Sequence, residues 1–145
     1  MSITVKKANN EIEMRRVFEI REEVFVKEQH VAPEDEYDGY EKDSNHFLAM
    51  LDDNAVGAAR WRLTEKGVKL ERFAVLKPAR GKGVGKALVE AVLKDIQENP
   101  ATKGKLVYMH AQLSAIPLYE KFGFLKVGGL FTECDIQHYK MERYL

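Results

Sequence analysis

The feature that most constrains this chain is a glycine-spaced turn between an apolar segment and an amphipathic one. The turn reads Arg-Gly-Lys-Gly-Val-Gly over residues 80–85. Residues 70–75 before it are mostly apolar, and apolar side chains recur after it at three- and four-residue intervals as far as Ile96, which predicts a strand and then a helix. Glycines just before a helix let backbone N–H groups point into a common space at the positive end of the helix dipole. The stretch therefore predicts an anion-binding cradle.

The spacing of these glycines excludes two familiar nucleotide-binding loops. A Walker A loop ends in Gly-Lys-Ser/Thr, whereas Gly85 and Lys86 are followed by Ala87. The dinucleotide fingerprint Gly-x-Gly-x-x-Gly fails as well, because counting from Gly81 reaches Lys86 instead of a third glycine. The cradle therefore belongs to another class of phosphate-binding turn.

The composition predicts one globular domain over residues 1–145. Of these residues 45% are hydrophobic, which is enough for a sizeable core. The 23 basic side chains balance the 23 acidic ones, so no general field attracts the chain to nucleic acid or to an anionic membrane. No apolar run has the length of a signal segment or a membrane span, and the single Cys134 cannot form an internal disulfide. We therefore expect a cytoplasmic protein without a nucleic-acid or membrane partner.

Hydrophobic periodicity predicts alternating strands and helices along the rest of the chain. A short strand and an amphipathic helix come first, and an acidic segment over residues 28–45 separates them from a hairpin of strands at 46–51 and 55–63. The acidic segment is either a functional loop or a solvated surface. In the second hairpin strand Arg60 and Arg62 share one face, where they either line a site for an anionic group or lie on the outer surface.

A second informative stretch follows a predicted strand over residues 106–111. It reads Leu-Tyr-Glu-Lys-Phe-Gly-Phe over residues 118–124 and predicts a short amphipathic helix that Gly123 terminates. The two stretches resemble motifs A and B of the GNAT superfamily of N-acetyltransferases, in the family order and at the family spacing. Motif A is Arg-x-x-Gly-x-Gly after a strand that ends in Ala-Val, and motif B commonly reads Ala-x-x-Leu-Tyr-x-x-x-Gly-Phe. The family often has an asparagine upstream of motif B, and Ser114 or Gln112 takes its place here.

The segment before these motifs resembles one subgroup of the family. Residues 21–29, Arg-Glu-Glu-Val-Phe-Val-Lys-Glu-Gln, followed by the acidic segment and His46, are similar to a group of small bacterial GNAT proteins. The acyl-homoserine-lactone synthases share the fold and a related pattern, but they are usually longer and carry a first-loop tryptophan that this chain lacks. The resemblance implies the GNAT fold, an α/β domain with a mixed, mostly antiparallel sheet, helices on both faces and an opening where the coenzyme enters.

The resemblance also implies acetyl transfer from acetyl-coenzyme A (acetyl-CoA) to an amine, by direct attack of the amine on the thioester. The pantetheine arm is expected along the backbone of Phe73, Ala74 and Val75, with the Val75 amide on the thioester oxygen. The phosphates are expected at the glycine-rich turn, on Arg80, Gly81, Lys82, Gly83, Val84, Gly85 and Lys86. The resemblance implies a small-molecule or peptide amine as the acceptor, and the alternative is a non-catalytic acyl-CoA-binding or sensor protein of the same fold.

Acetyl transfer needs a proton donor for the departing thiolate and a base for the amine. The phenol of Tyr119 is the candidate donor, although its position in an apolar helix stripe also suits a core side chain. One candidate base is Glu71, expected on the same strand face as Phe73 and Val75. The other is His110 on the adjacent strand, and solvent is the third alternative.

No metal site is predicted. The four histidines lack the close paired spacing of zinc ligands, and Cys134 lies beyond both coenzyme motifs, so we expect neither a metal cofactor nor a cysteine nucleophile. Phe25, Trp61 and Phe131 are candidates for the walls of an acceptor pocket, although buried aromatic side chains usually belong to the core. The sequence leaves a homodimer open.

Overall fold

In the computed structural model, which describes residues 2–145, seven strands form one mixed sheet. In chain order they are β1 (Ile3–Lys7), β2 (Asn45–Leu51), β3 (Asn54–Thr64), β4 (Gly67–Val75), β5 (Leu106–Gln112), β6 (Leu125–Glu133) and β7 (Ile136–Tyr144). Their spatial order is β1-β2-β3-β4-β5-β7-β6, and every neighbouring pair is antiparallel except β4 with β5. The mostly antiparallel sheet that the sequence predicts is confirmed.

Helices cover both faces of this sheet. They are α1 (Glu11–Arg21), α2 (Pro33–Glu36), α3 (Val84–Glu98) and α4 (Ile116–Glu120), and α1 continues into a π-helical segment at Glu22–Glu28. Apolar side chains of α1 and the π-helical segment pack on one face, which we call the α1 face, and those of α3 and α4 pack on the other, the α3 face. The predicted α/β architecture with helices on both faces is therefore confirmed.

The parallel pair β4 and β5 is hydrogen-bonded over only part of its length. The register joins residues 68–70 of β4 to residues 107–109 of β5. Both strands continue beyond these pairs, to residues 75 and 112, without pairing further with each other. A slot therefore opens through the sheet between the carboxyl ends of two parallel strands, which is where open α/β sheets bind their ligands.

A β-bulge lies where β4 leaves its partner strands. The register places two residues of β4, Arg72 and Phe73, opposite the single Ala59 of β3. Arg72 has a left-handed backbone conformation, with φ of 58°. A bulge of this kind bends a strand and changes which face the following side chains occupy.

The bulge corrects one expectation about β4. Phe73 and Val75 pack into the cluster of the α3 face, together with Leu70, whereas the carboxylate of Glu71 binds Arg60 on the α1 face. The prediction that Glu71 shares a face with Phe73 and Val75 is therefore wrong. Strict alternation of side chains holds only for a regular strand, and the extra residue at the bulge reverses it.

The acidic segment after the π-helical turn is fixed to the sheet by buried ion pairs. Arg21 is only 1% exposed, and its guanidinium donates to the Glu36 carboxylate at 2.8 Å and to the Glu41 carboxylate at 2.8 Å. Glu36 lies in α2 and is itself 2% exposed. The acidic run is therefore only partly a solvated surface, because several of its carboxylates hold the segment against the α1 face.

Arg60 extends this network into the sheet. It is 0% exposed, and its guanidinium binds carboxylate oxygens of Asp38 at 2.6 Å, Glu41 at 2.7 Å and Glu71 at 2.9 Å. Arg62 donates to Glu71 at 2.6 Å. The two arginines share a face, as predicted, but the outer-surface alternative is wrong for Arg60. Both guanidinium groups bind carboxylates of the protein itself, in place of an external anion.

This network makes the stability of the fold depend on pH. Burial alone would raise the pKa of Asp38, but hydrogen bonds and charge from Arg60 outweigh it and lower that pKa to about 2. At Glu71 the hydrogen bond from Arg62 outweighs burial in the same way, and the pKa is again about 2. A carboxyl group with a lowered pKa in the folded state stabilises the fold above its unfolded pKa, and this contribution is lost as the pH falls through the folded pKa. We expect the urea-unfolding free energy to fall as the pH is lowered from about 5 toward 2.

Glu71→Gln is the control for this assignment. The variant is expected to be less stable than the wild type at neutral pH, because Arg60 loses a buried partner. It is also expected to lose less further stability on acidification, because one of the two linked carboxyl groups is gone. Parallel curves of unfolding free energy against pH for the two proteins would contradict the role of Glu71.

Candidate active site

The slot between β4 and β5 opens into a cavity of about 390 Å³. Side chains from both sheet faces line it, because the slot passes through the sheet. Phe73 and Tyr119 belong to the apolar cluster of the α3 face, whereas Glu71 and His110 lie on the α1 face. The three predicted catalytic residues therefore share one cavity, with the candidate acid on one face and the two candidate bases on the other.

The glycine-rich turn forms an uncapped helix N-terminus, which we call the cradle (residues 81–86). Gly81 and Gly83 have left-handed backbone conformations, with φ of 77° and 90°, and α3 begins directly after them. No side chain caps this end, and within the described part of the chain the six backbone N–H groups of the cradle donate to no acceptor. Unsatisfied N–H groups at the positive end of a helix dipole have the geometry that binds phosphate.

Arg80, immediately before the cradle, is held by groups of the protein. Its Nε donates to the Val75 carbonyl at 2.9 Å, and its two terminal nitrogens donate to the two carboxylate oxygens of Glu28, each at 2.7 Å. Lys82 and Lys86, within the cradle, are exposed. The expected phosphate contact of Arg80 stays a prediction, and its guanidinium is engaged elsewhere in this structure.

The backbone of β4 presents hydrogen-bonding groups to the slot. The Leu76 amide donates to the Val56 carbonyl of β3 at 2.8 Å. Because successive backbone groups of a strand point to opposite sides, the N–H of Val75 faces the slot. Past residue 70 no strand in the described part of the chain pairs with this edge. An extended ligand can therefore add to the edge as a further strand would.

Tyr119 of α4 lies in the core and also lines the cavity. The residue is 6% exposed, and its ring packs edge-on against Phe73 at 5.9 Å and Phe124 at 6.2 Å between ring centroids. Its side chain also lines the cavity, and its hydroxyl makes no hydrogen bond within residues 2–145. Burial raises the pKa of the Tyr119 phenol, so the group stays protonated at neutral pH and keeps a proton to donate.

His110 of β5 lies on the opposite side of the cavity. Its Nδ1 is 3.0 Å from a carboxylate oxygen of Glu133, near the end of β6, and its ring packs edge-on against Phe131 at 5.2 Å. The other ring nitrogen, Nε2, makes no hydrogen bond within the described residues. A carboxylate on one nitrogen fixes the ring and its tautomer, and leaves the second nitrogen to accept a proton. Glu133 was not predicted, because it lies 23 residues after His110 in the chain and only the pairing of the strands brings the two side chains together.

Glu71 has a different environment from His110. Its carboxylate accepts hydrogen bonds from Arg60 and Arg62 and pairs with Lys69 at 3.1 Å. These cations hold its pKa at about 2, against the opposing effect of burial. A carboxylate with so low a pKa is a weak base at neutral pH. The geometry therefore favours His110 over Glu71 as the proton acceptor.

The α1 side of the cavity contains residues that the sequence did not place there. The turn between β6 and β7 brings Cys134 to the cavity, close to Asp35 of α2. Burial and the carboxylates of Asp35 and Glu133 raise the pKa of the Cys134 thiol, which disfavours the nucleophilic thiolate. The position of this turn follows from the pairing of two late strands, which no local motif encodes.

The structure places only one of the three aromatic residues predicted to form pocket walls in the lining of the cavity. Phe25 lines the cavity. Trp61 does not: it is 1% exposed in the core, and its indole nitrogen donates to Asp95 of α3 at 2.9 Å. Phe131 contacts the ring of His110 from outside the cavity lining. The core alternative is therefore right for Trp61, whose face of β3 is covered by α3.

Among residues 2–145, no three side chains of His, Cys, Asp or Glu are grouped closely enough to hold a metal ion. In the same range no helix has both the length and the apolar character needed to cross a membrane.

Solved structures of other proteins share this architecture. Escherichia coli ElaA superposes with a TM-score of 0.85 at 28% identity, covering 98% of this chain and 99% of that one. An acyl-CoA N-acyltransferase from Pseudomonas aeruginosa superposes with a TM-score of 0.82 at 30% identity, covering 98% of both chains. The fold therefore occurs in a group of other proteins of similar length.

Sequence comparison assigns the chain to the same group. The uncharacterized N-acetyltransferase YjcF of Bacillus subtilis is 38% identical over 135 residues, which are 92% of this chain and 94% of YjcF. The family model described as an acetyltransferase (GNAT) domain matches residues 6–145. That range contains the cradle, the slot and every candidate catalytic residue. The chain therefore belongs to the GNAT family of acetyltransferases.

Proposed function

We propose that this protein transfers the acetyl group of acetyl-CoA to the amine of a small molecule or peptide, by direct attack of the amine. The observation that carries the proposal is the cradle, whose six N–H groups have no acceptor within the described chain and lie just after the slot edge of β4. A thioester with a pyrophosphate at one end and an extended, amide-containing arm fits a cradle joined to an open strand edge. The family supports acyl transfer.

The donor follows the α3 side of the slot. The pyrophosphate binds the N–H groups of the cradle, assisted by the charges of Lys82 and Lys86. The pantetheine arm extends along Phe73, Ala74 and Val75. The Val75 N–H then donates to the thioester oxygen, where negative charge develops during attack.

The acceptor amine enters from the α1 face. Its nitrogen attacks the thioester carbonyl carbon, and the carbon–sulfur bond breaks as the amide forms. The amine proton passes to Nε2 of His110, and the departing thiolate takes the proton of the Tyr119 phenol. Carboxylates of Asp35 and Glu133 line this side of the cavity and favour the approach of a protonated amine, which gives its extra proton to solvent before the neutral nitrogen attacks.

Acetyl-CoA should stabilise the protein through the cradle. At about 100 times its dissociation constant a ligand raises the unfolding free energy by about 2.7 kcal/mol. We expect acetyl-CoA to raise the melting temperature of the wild type and not that of Gly81→Val, whose new side chain disturbs the cradle. Gly104→Val is the matched control, because Gly104 has a similar φ of 75° and open space for a Cβ but lies away from the cradle.

Both valine variants should lose stability without ligand, because both force a side chain into a left-handed backbone conformation. Free coenzyme A, ATP and S-adenosylmethionine show which part of the ligand is recognised. If acetyl-CoA stabilises Gly81→Val as much as Gly104→Val, the cradle does not bind the donor. If it does not stabilise the wild type, the acetyltransferase proposal fails.

Tyr119→Phe should slow turnover while it preserves the fold. Removing a general acid costs about 10²- to 10⁴-fold in rate, and the ring packing against Phe73 and Phe124 remains. We expect kcat for an acceptor amine to fall, with the dissociation constant of acetyl-CoA unchanged. Tyr139→Phe is the matched control, because Tyr139 packs at the same core from β7 without lining the cavity. Equal turnover of the two variants would contradict the role of Tyr119 as the proton donor.

The dependence of kcat/KM on pH distinguishes the two candidate bases. Histidine loses its ability to accept a proton as the pH falls below neutral, whereas Glu71 is ionised throughout that range. We expect His110→Gln to lose activity and to flatten the acid limb of the profile. Glu71→Gln should keep that limb. An unchanged limb in His110→Gln would exclude His110, and an unchanged profile in both variants would leave solvent as the base.

A further inference from the structure

The π-helical segment at Glu22–Glu28 ends beside the slot, and no step of the proposed reaction uses it. The amide of Gln29 donates to the carbonyl of Val24, five residues earlier, at 3.1 Å. π-Helical turns are rare and occur frequently at functional sites. The segment also forms most of residues 21–29, the stretch that resembles one GNAT subgroup. Its end contacts the chain on both sides of the slot.

Glu28 contacts the β4 side. Both of its carboxylate oxygens accept from Arg80 at 2.7 Å, and the same guanidinium donates through Nε to the Val75 carbonyl at 2.9 Å. Val75 is the last residue of β4, and Arg80 directly precedes the cradle. Glu28 therefore fixes the end of β4 and the start of the cradle together.

Gln29 contacts the β5 side. Its side-chain oxygen accepts a hydrogen bond from the side-chain nitrogen of Gln112 at 2.9 Å. Gln112 is the last residue of β5, and both glutamines line the cavity. Glu28 thus holds the end of β4 through Arg80, and Gln29 holds the end of β5 through Gln112. We call Glu28 and Gln29 the brace.

We propose that the brace sets the width of the slot and thereby the affinity for the acyl-CoA donor, with Glu28 and Gln29 as positioning residues. The inference rests on the proposed function, in which the donor occupies the slot. Beyond residues 70 and 109 no backbone hydrogen bonds join β4 to β5, so direct pairing does not set the distance between these strand ends, and the side chains that contact both of them can. A slot that is already open at the right width loses less conformational freedom when the pantetheine arm enters.

Electrostatics alone predicts the opposite result for one substitution. Glu28→Gln removes a negative charge beside the site of an anionic ligand and releases the Arg80 guanidinium from its carboxylate partner. If Arg80 were mainly a phosphate ligand that Glu28 restrains, the substitution would tighten acetyl-CoA binding and make it more sensitive to salt. If Glu28 acts through the brace, the substitution weakens binding. The sign of the change separates the two roles.

The test is isothermal titration of acetyl-CoA into the full-length protein and its variants at several salt concentrations. We expect Glu28→Gln to weaken binding about two- to fivefold, which is the upper part of the range for losing a well-formed but partly exposed ion pair. Glu23→Gln is the matched control, because it removes the same charge from the same segment, where Glu23 pairs with Lys27 at 3.6 Å. It should leave the affinity unchanged or slightly raise it.

The β5 half of the brace is tested separately. Gln29→Leu and Gln112→Leu each remove one partner of the same hydrogen bond, and each should weaken acetyl-CoA binding. The double variant should bind no more weakly than either single variant, because the contact is lost only once. This cycle remains informative if Glu28→Gln folds poorly.

The outcomes separate this inference from the proposed function. Tighter or unchanged acetyl-CoA binding by Glu28→Gln would contradict the role of the brace, and so would additive losses of affinity in the glutamine double variant. If the wild type still binds acetyl-CoA in either case, the proposed donor site is not affected. A wild-type protein that binds no acetyl-CoA in the same titration would overturn both.

Discussion

The early end of the hydrogen-bonded pairing between β4 and β5 is the constraint on which the rest of this site depends. The two strands share three residue pairs and then separate, which opens a slot through the middle of the sheet. A sheet opened in this way leaves an unpaired edge on β4 and a helix N-terminus just past its end. The proposed donor site therefore consists mainly of backbone groups, and glycines at the cradle keep those groups accessible.

Because the slot passes through the sheet, the chemistry is divided between two faces. Tyr119 belongs to the α3 face, on the side of the proposed donor, and His110 and Glu133 belong to the α1 face, on the side of the proposed acceptor. The buried arginine network gives the α1 face a fixed wall, because Arg21 and Arg60 hold the acidic segment against the strands. An acid and a base on opposite sides of one thioester suit a reaction in which two protons move in opposite senses.

The sequence predicts what depends on short-range patterns. The cradle, the helix after it and the position of Tyr119 follow from glycine spacing and helical periodicity, so they were accessible without a structure. The face of Glu71 was not, because a bulge reversed the alternation of β4. Glu133 and the partnership of Glu28 with Arg80 were missed for a related reason. The paired residues are 23 positions apart for His110 with Glu133 and 52 apart for Glu28 with Arg80, and only the tertiary fold brings them together.

The most direct test of the account is an amide NMR titration of the isotopically labelled protein with acetyl-CoA. We expect the N–H resonances of residues 81–86 and of Val75 to show the largest shifts, because phosphate and thioester oxygens become their first acceptors. The amide of Gly104, which shares the backbone conformation of Gly81 but lies outside the cradle, should stay unchanged. Shifts that leave residues 81–86 unaffected would contradict a donor site at the cradle.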